Sequence, residues 1–501
     1  MPVNLTTKQI QLVWANANAT HVRQQVRAAY YAGTQAILEA SETRADGSKR
    51  TRGVTNWIRK AADDHASFAL GNPPNYTISD PDPREDDPES IAKTEAQRQA
   101  LAQFEIVRRA STIDALEIEH FRSAVLMGYS VEVHGYDPVA RLPILTRYDP
   151  RSWAFVFDDT GRLRAAIHRT TIPAGTFRAD GVIEADIVEW TVYDDATVRK
   201  FTETEQKSEG GGGSGKSESA LTELSSTPHF YGMVPVIVFR VLESYEPFVS
   251  DALITLQDAY NEAHSDLRDD VKNNVDAVLA ITGYKPGALY EKDSAGLTYV
   301  DKLRADKLLT LREGASAQFL TKGNQQDKVE YDLNVTRDDI HLEASLADIS
   351  RIVGATGTVS GIALKLKLKP MIAQASIFLK WFEEGQRRRV NLLNALWAKL
   401  GGQQLTDYLI NHNEDIPINE SESYQDIANV SSVLSRADTI KVAIPSIKDP
   451  EQAAQRKRTE EDQLIDSARF PGSESEDADD DPPPDDDETT ESSGDAGNRA
   501  A

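Results

Sequence analysis

The sequence predicts an α+β protein, and three observations carry that expectation. Apolar residues step by 4-3-4-3-4 from Leu364 to Phe382, which marks a long amphipathic helix. Short alternating runs crowd the region from Tyr129 to about Arg240, which marks strands. Between Phe248 and Leu400 the order is helix, small β module, helix, loop, long helix.

Length and charge bound the rest. At 501 residues the chain is long enough for two or three cores. Its 80 acidic against 55 basic residues give a net charge of −25, which argues against a protein that grips nucleic acid by neutralising phosphates. Zero cysteines remove disulfides, thiolate metal sites and thiol catalysis, and suit a reducing cytoplasm. No apolar run approaches the ~20 residues that span a bilayer, and the opening Met-Pro-Val-Asn-Leu-Thr-Thr has no signal pattern, so a soluble protein without a membrane partner is expected.

In order along the chain, Thr6 or Thr7 caps a helix reaching Tyr31 and Gly33, and Asn56 caps another that stops at Gly71-Asn-Pro-Pro74. The charged, proline-rich stretch from Asp80 to Glu89 is an exposed loop; it lacks the glycine turn and terminal glutamate of a calcium loop. Helices follow near 90 to 110 and 112 to 127. The strand-like runs are Val131–Gly135, Ala154–Phe157, Ile187–Val192 and Val236–Phe239. The glycine-rich loop 207–218 contains Gly-Lys-Ser without the strand context of a phosphate-binding loop, so it reads as a linker.

Leu253, Leu256, Tyr260, Ala263 and Leu267 mark one helix within 248–274, and Leu342, Leu346, Ile349 and Val353 mark another. The glycines of Gly354-Ala-Thr-Gly-Thr-Val-Ser-Gly361 end the second. The long helix beyond is near 40 residues, hence roughly 60 Å, with a kink expected at Pro370. Asp449 and Pro450 open a last helix to about Phe470, and the acidic, proline-bearing stretch from Glu474 to Glu488 cannot pack.

Nine histidines lack metal-ligand spacing, no Gly-x-Ser-x-Gly elbow occurs, and Asp266, Asp269 and Asp270 share one helix without partners from elsewhere. No catalytic residue, metal or cofactor is expected, and the chain does not read as an enzyme.

The collinear order of Tyr30-Tyr-Ala-Gly33, Phe68-Ala-Leu-Gly-Asn-Pro-Pro-Asn-Tyr76, Asp258-Ala-Tyr-Asn-Glu262, Asp269-Asp-Val-Lys-Asn-Asn274, Ser360-Gly-Ile-Ala-Leu-Lys-Leu-Lys367 and Glu384-Gly-Gln-Arg-Arg-Arg389 resembles the portal proteins of long-tailed, siphovirus-type bacteriophages. The resemblance implies a ring, typically of twelve subunits, at one capsid vertex of the virion, assembled in the host cytoplasm. Double-stranded DNA passes through that ring without tight binding, during packaging and ejection. Implied partners are the terminase large subunit, the major capsid and scaffolding proteins and a head-completion adaptor. In the family's terms 1–128 is the helical part of the wing, 129–247 its β-rich part, 248–274 and 333–353 the stem helices, and 275–332 the α/β clip. The tunnel loop is 354–361, the long wing helix and its sequel 362–419, the helical crown 420–470, and 471–501 a disordered acidic tail. The candidate tunnel-loop residues are Gly354, Ala355, Thr356, Gly357, Thr358, Val359 and Ser360. Candidate channel-lining charges are Asp338, Asp339, Glu343, Asp348, Lys365 and Lys367.

Geometry permits such a ring. Twelve helices ~9 Å apart enclose a lumen about 24 Å wide, enough for a duplex roughly 20 Å across. An acidic wall keeps phosphates sliding rather than stuck. The rival expectation is an acidic helical head-assembly or adaptor protein that never encircles DNA.

Overall fold

The computed structural model describes residues 4–39, 50–81, 87–139, 141–178, 181–183, 185–206, 218–275, 278–282, 292, 298, 314, 316–320, 326–348, 361–412, 455, 458 and 459. One compact unit, Met1–Ser423, holds every element below; in the second, Tyr424–Ala501, only Gln455, Arg458 and Thr459 are described, so the rest of the expected crown and all of the acidic tail lie outside the described residues.

Four helices come first: α1 (Thr7–Ala32), α2 (Trp57–Leu70), α3 (Pro88–Ala110) and α4 (Ile113–Met127), with strand β1 (Asn75–Ile78) between α2 and α3. Thr6 and Gln9 form a reciprocal capping box on α1, and Gly33 ends it at φ 89°, a left-handed angle that costs glycine little. Asn56 caps α2 through the Arg59 amide.

The β-rich part follows: β2 (Tyr129–Asp137), β3 (Leu142–Tyr148), β4 (Trp153–Phe157), β5 (Leu163–Ile172), β6 (Phe177–Arg178), β7 (Gly181–Val182), β8 (Ile187–Tyr193), β9 (Thr197–Gln206), β10 (Glu218–Pro228) and β11 (Val236–Arg240). They make an antiparallel five-stranded sheet β10-β9-β8-β5-β4, a three-stranded sheet β11-β2-β3 and the small pair β6-β7. The four strand-like runs expected between Tyr129 and Arg240 lie in strands. The inner face of α1 packs on the larger sheet, with Ile10 and Trp14 against Ile167, Trp190 and Phe201.

Next come α5 (Asp251–Val275), the hairpin β12 (Val278–Thr282) and β13 (Ser316–Leu320), α6 (Gln326–Glu343), α7 (Gly361–Leu400) and β14 (Tyr408–Asn411). β14 returns to pair antiparallel with β1, a closure that the residue pattern had not announced. α7 is continuous through Pro370. That proline lies on the exposed side, where the carbonyl it leaves without a donor can face water. Leu368, Met371, Ala375, Phe378 and Phe382, all expected on one stripe, are buried.

The helix expected over 333–353 is different in extent. α6 begins at Gln326, inside the stretch assigned to the clip, and ends at Glu343. Its buried positions are Leu333 and Ile340, with Ala344 buried just past its end, while Leu342 is 80% exposed. The reason is a C-terminal cap without glycine. Ser345 takes a left-handed φ of 49°, its amide donates to the Leu342 carbonyl, and the Leu346 amide reaches back to His341. Leu346 is buried beyond that turn rather than on the helix.

At the centre, α7 is locked by charge. Arg389, fully buried, donates to Glu132 Oε1 and Oε2 at 2.9 and 2.8 Å and to Glu117 Oε1 at 2.5 Å. Glu132 also accepts from His120 Nε2 and His134 Nε2 at 3.0 Å each. Burial pushes the Glu132 carboxyl up, but Arg389 and the two imidazoles outweigh it and hold it well below the carboxylate range. Burial wins at Glu117, whose pKa is raised despite Arg389. Burial also lowers His120 and His134, with Glu132 opposing in part. One turn earlier Gly385 lies against Phe239, where any Cβ would overlap the ring.

Two outcomes follow. Gly385→Ala should destabilise the protein by about 1–3 kcal/mol in urea unfolding, because overpacking against Phe239 exceeds the ~1 kcal/mol that alanine gains in helix propensity; a stabilised variant would contradict the packing. Stability should also fall with acid. His120, His134 and His65 are neutral in the fold with lowered pKa values, so below about pH 6.5 the unfolded chain takes up protons that the folded chain refuses. Their contribution is intact above pH 6.5 and drains away as pH drops towards the lowered values. Melting temperature should therefore decline by several degrees between pH 7.5 and 5, and a flat profile would refute the neutral assignment.

Candidate functional site

The region that the sequence singled out is built from α5, α6, the hairpin between them and the start of α7. α5 and α6 run antiparallel: Ser250, which caps α5 by accepting the Leu253 amide at 3.1 Å, donates its hydroxyl to Glu343 Oε1 at the last residue of α6, 3.0 Å away. An anion at the start of α5 also complements the helix dipole.

Just past that contact the chain is fastened from below. His65 of α2, buried, donates Nε2–H to the Ala344 carbonyl at 2.8 Å. Its ring packs edge-on against Phe248 and Phe378, so one imidazole joins α2, the entry to α5, the exit of α6 and α7. Burial lowers its pKa, with the Ala344 bond opposing.

On its buried side α5 carries a polar row, Gln257, Asn261, Ser265 and Asp269, at steps of four. Segment 51–57 lies extended along it. The amides of Trp57, Thr55, Gly53 and Thr51 donate in turn to Gln257 Oε1 (2.7 Å), Asn261 Oδ1 (3.0 Å), Ser265 Oγ (3.2 Å) and Asp269 Oδ1 (2.9 Å). The match is metrical: two extended residues span ~6.6 Å and four helical residues ~6 Å, so alternate amides meet successive turns. The Gln257 amide also returns a bond to the Thr55 carbonyl, and Asn261 donates to Gln35. Arg27 and Tyr30 of α1 bind Asp251 and Asp258 of α5 from the same side.

The expected channel charges divide. Asp338, Asp339 and Glu343 are exposed on α6, and Asp348 lies half-buried beyond its end. Lys367 is exposed on α7; Lys365 belongs to the same helix. Residues Gly354 to Ser360 lie outside the described residues, but both flanks are anchored, at Leu346 and at Leu368. Asp266 and Asp269 are engaged, the first near Arg50 and Arg52 at 3.7 and 3.9 Å, the second with Thr51. Among the described residues no cluster of three or more histidines and carboxylates could hold a metal, and no helix is long and apolar enough to cross a membrane.

Sequence reasoning missed His65, Ser250 and the polar row on α5. The row was visible as four polar residues at helical spacing, but on an isolated helix that pattern reads as a solvated face.

Replacing Asn261 with leucine should cost about 1–3 kcal/mol, because it strands the Thr55 amide and the Gln35 side chain in a buried place. Hydrogen exchange at Thr55 should accelerate more than at α7; equal protection in both proteins would show that the row does not hold the segment.

No curated protein matches the chain. Among solved structures, one described as the neck of an empty GTA particle computed with C6 symmetry is similar at 11% identity and a TM-score of 0.40, covering 78% of this chain and 90% of its own. The neck of the native GTA particle computed with C12 symmetry is similar at 10% identity and a TM-score of 0.35, with the same coverage. The model of the family described as phage portal protein, SPP1 Gp6-like, matches residues 10–466, and the chain therefore belongs to that family of phage portal proteins.

Proposed function

We propose that α5 and α6 are the rods that wall the DNA passage of the portal ring, with twelve copies closing the wall. The observation that carries this is the antiparallel α5–α6 pair itself, tied at one end by Ser250 and Glu343 and leading at the other into the β12–β13 hairpin. Such a pair is a strut with a β cap, held on its inner flank by the ladder from segment 51–57. The hairpin end, within 275–332, is the docking surface for the terminase large subunit. The β-rich part and α1 to α4 form the wing that meets capsid, scaffolding and head-completion proteins. Loop 354–361, slung between anchored flanks at Leu346 and Leu368, is the adjustable element that touches DNA. Its residues carry only small, uncharged side chains, so contact is steric rather than adhesive.

Asp339, Glu343 and their repeats around the ring make the wall acidic, and Lys365 and Lys367 stand where α7 leaves the loop. A wall of this sign repels phosphates that arrive every ~1.7 Å and lets the duplex slide. The work of translocation belongs to a separate motor.

Light scattering and negative-stain imaging of the purified protein should show a ring with a central hole; a small globular oligomer would favour the adaptor reading. Deleting Gly354–Ser360 should leave ring formation intact and abolish DNA packaging, and packaging at the normal level would refute the role of the loop.

A further inference from the structure

Among the described residues, the outer face of α6 leaves three large apolar side chains exposed to water. Tyr331, Val335 and Leu342 are 71%, 38% and 80% exposed, and with Asp338 they step by 4-3-4 on the side opposite the buried Leu333, Ile340 and Ala344. The exposed face of α5 is the reverse in size. Ala252, Thr255 and Ala259 step by 3-4 and are followed by Glu262 and Asp266, all exposed.

We propose that the α6 row of one subunit packs into the small-residue row of α5 on the next copy of this chain. The inference rests on the ring reading above and names the contact that closes it. Cyclic symmetry rotates a subunit about the channel without translating it, so residues meet others at their own height along a rod parallel to the axis. The Ser250–Glu343 bond sets that height scale, and each residue advances ~1.5 Å along either helix. Counting from it, Asp338 comes level with Thr255 and Tyr331 with Glu262, while Leu342 falls within one residue of Ala252, Val335 of Ala259 and Lys328 of Asp266.

Every pair on that scale is complementary. Two large aliphatic side chains meet alanines, which leave the holes that knobs need. The tyrosine hydroxyl and the lysine ammonium meet carboxylates, and Asp338 meets a threonine. The arrangement is head-to-tail, because the two faces differ, and a head-to-tail contact generates rings rather than two-fold dimers. A second copy is the occupant favoured over the duplex: three exposed apolar side chains gain from leaving water against protein, whereas a phosphate backbone offers them nothing. Asp338 then belongs to the subunit contact rather than to the lumen.

The chain has no cysteine, so a pair can be introduced cleanly. The full-length Val335→Cys/Ala259→Cys variant is assembled, oxidised or bridged with a short bis-maleimide, and run without reductant, beside both single variants. The expected result is a ladder of covalent multimers from the double variant alone. Lys328→Glu should raise the protein concentration needed for half-assembly about fivefold. Three results would overturn the seam and leave the portal ring standing: rings in negative stain without a ladder, a product that stops at the dimer, or a Val335→Cys thiol that reacts freely with a bulky maleimide in intact rings. Failure of the unmodified chain to form any ring, with scaffolding protein co-expressed, would overturn both.

Discussion

A buried guanidinium organises this subunit. Arg389 sits in the middle of α7, and its two carboxylate partners come from α4 and β2, so a single side chain fixes the long helix against a helix and a sheet together. Breaking such a buried pair by removing one partner costs about 3–5 kcal/mol, because the remaining charge stays out of water. A slip of α7 by one turn would move the cation away from Glu117 and Glu132, and the neutral imidazoles of His120 and His134 could not replace it. The cluster therefore specifies register, and the aromatic stripe of Phe378 and Phe382 adds the apolar attraction that Arg389 cannot supply.

Register in α7 matters because the start of α5 and the end of α6 both hang from it. Phe378 receives His65 and Phe248, His65 holds the carbonyl where α6 ends, and Ser250 joins the ends of α5 and α6. The α5–α6 pair is thus tied at that end by side chains from four elements, and at the other it leads to the β12–β13 pair. The polar ladder of segment 51–57 stiffens the flank of α5 in a different way. Hydrogen bonds at fixed spacing define one alignment, whereas an apolar stripe would tolerate sliding.

Much of the fold was legible in the sequence, because caps, alternation and heptad steps are local signals. Thr6 with Gln9, Asn56 and Gly33 announce helix ends through side chains or φ angles that act within a few residues. The buried stripe of α7 could be counted without any structure. The end of α6 could not. Its cap uses a left-handed Ser345, so the helix stops where no glycine marks it, and Leu342 and Leu346, which looked like one stripe, fall on opposite sides of a turn. The polar row on α5 was hidden for a related reason, since only the arrival of segment 51–57 from some 200 residues away turns a solvated face into a buried one.

The order of parts, the acidic charge and membership of the portal family are written in the amino acids alone, since they depend on composition and on spacing along the chain. Three-dimensional packing settled the remainder: which of the candidate charges stand exposed, where α6 stops, how Arg389 chooses its carboxylates and how β14 closes on β1. Those outcomes are set by partners distant in the chain, whose meeting no local period records.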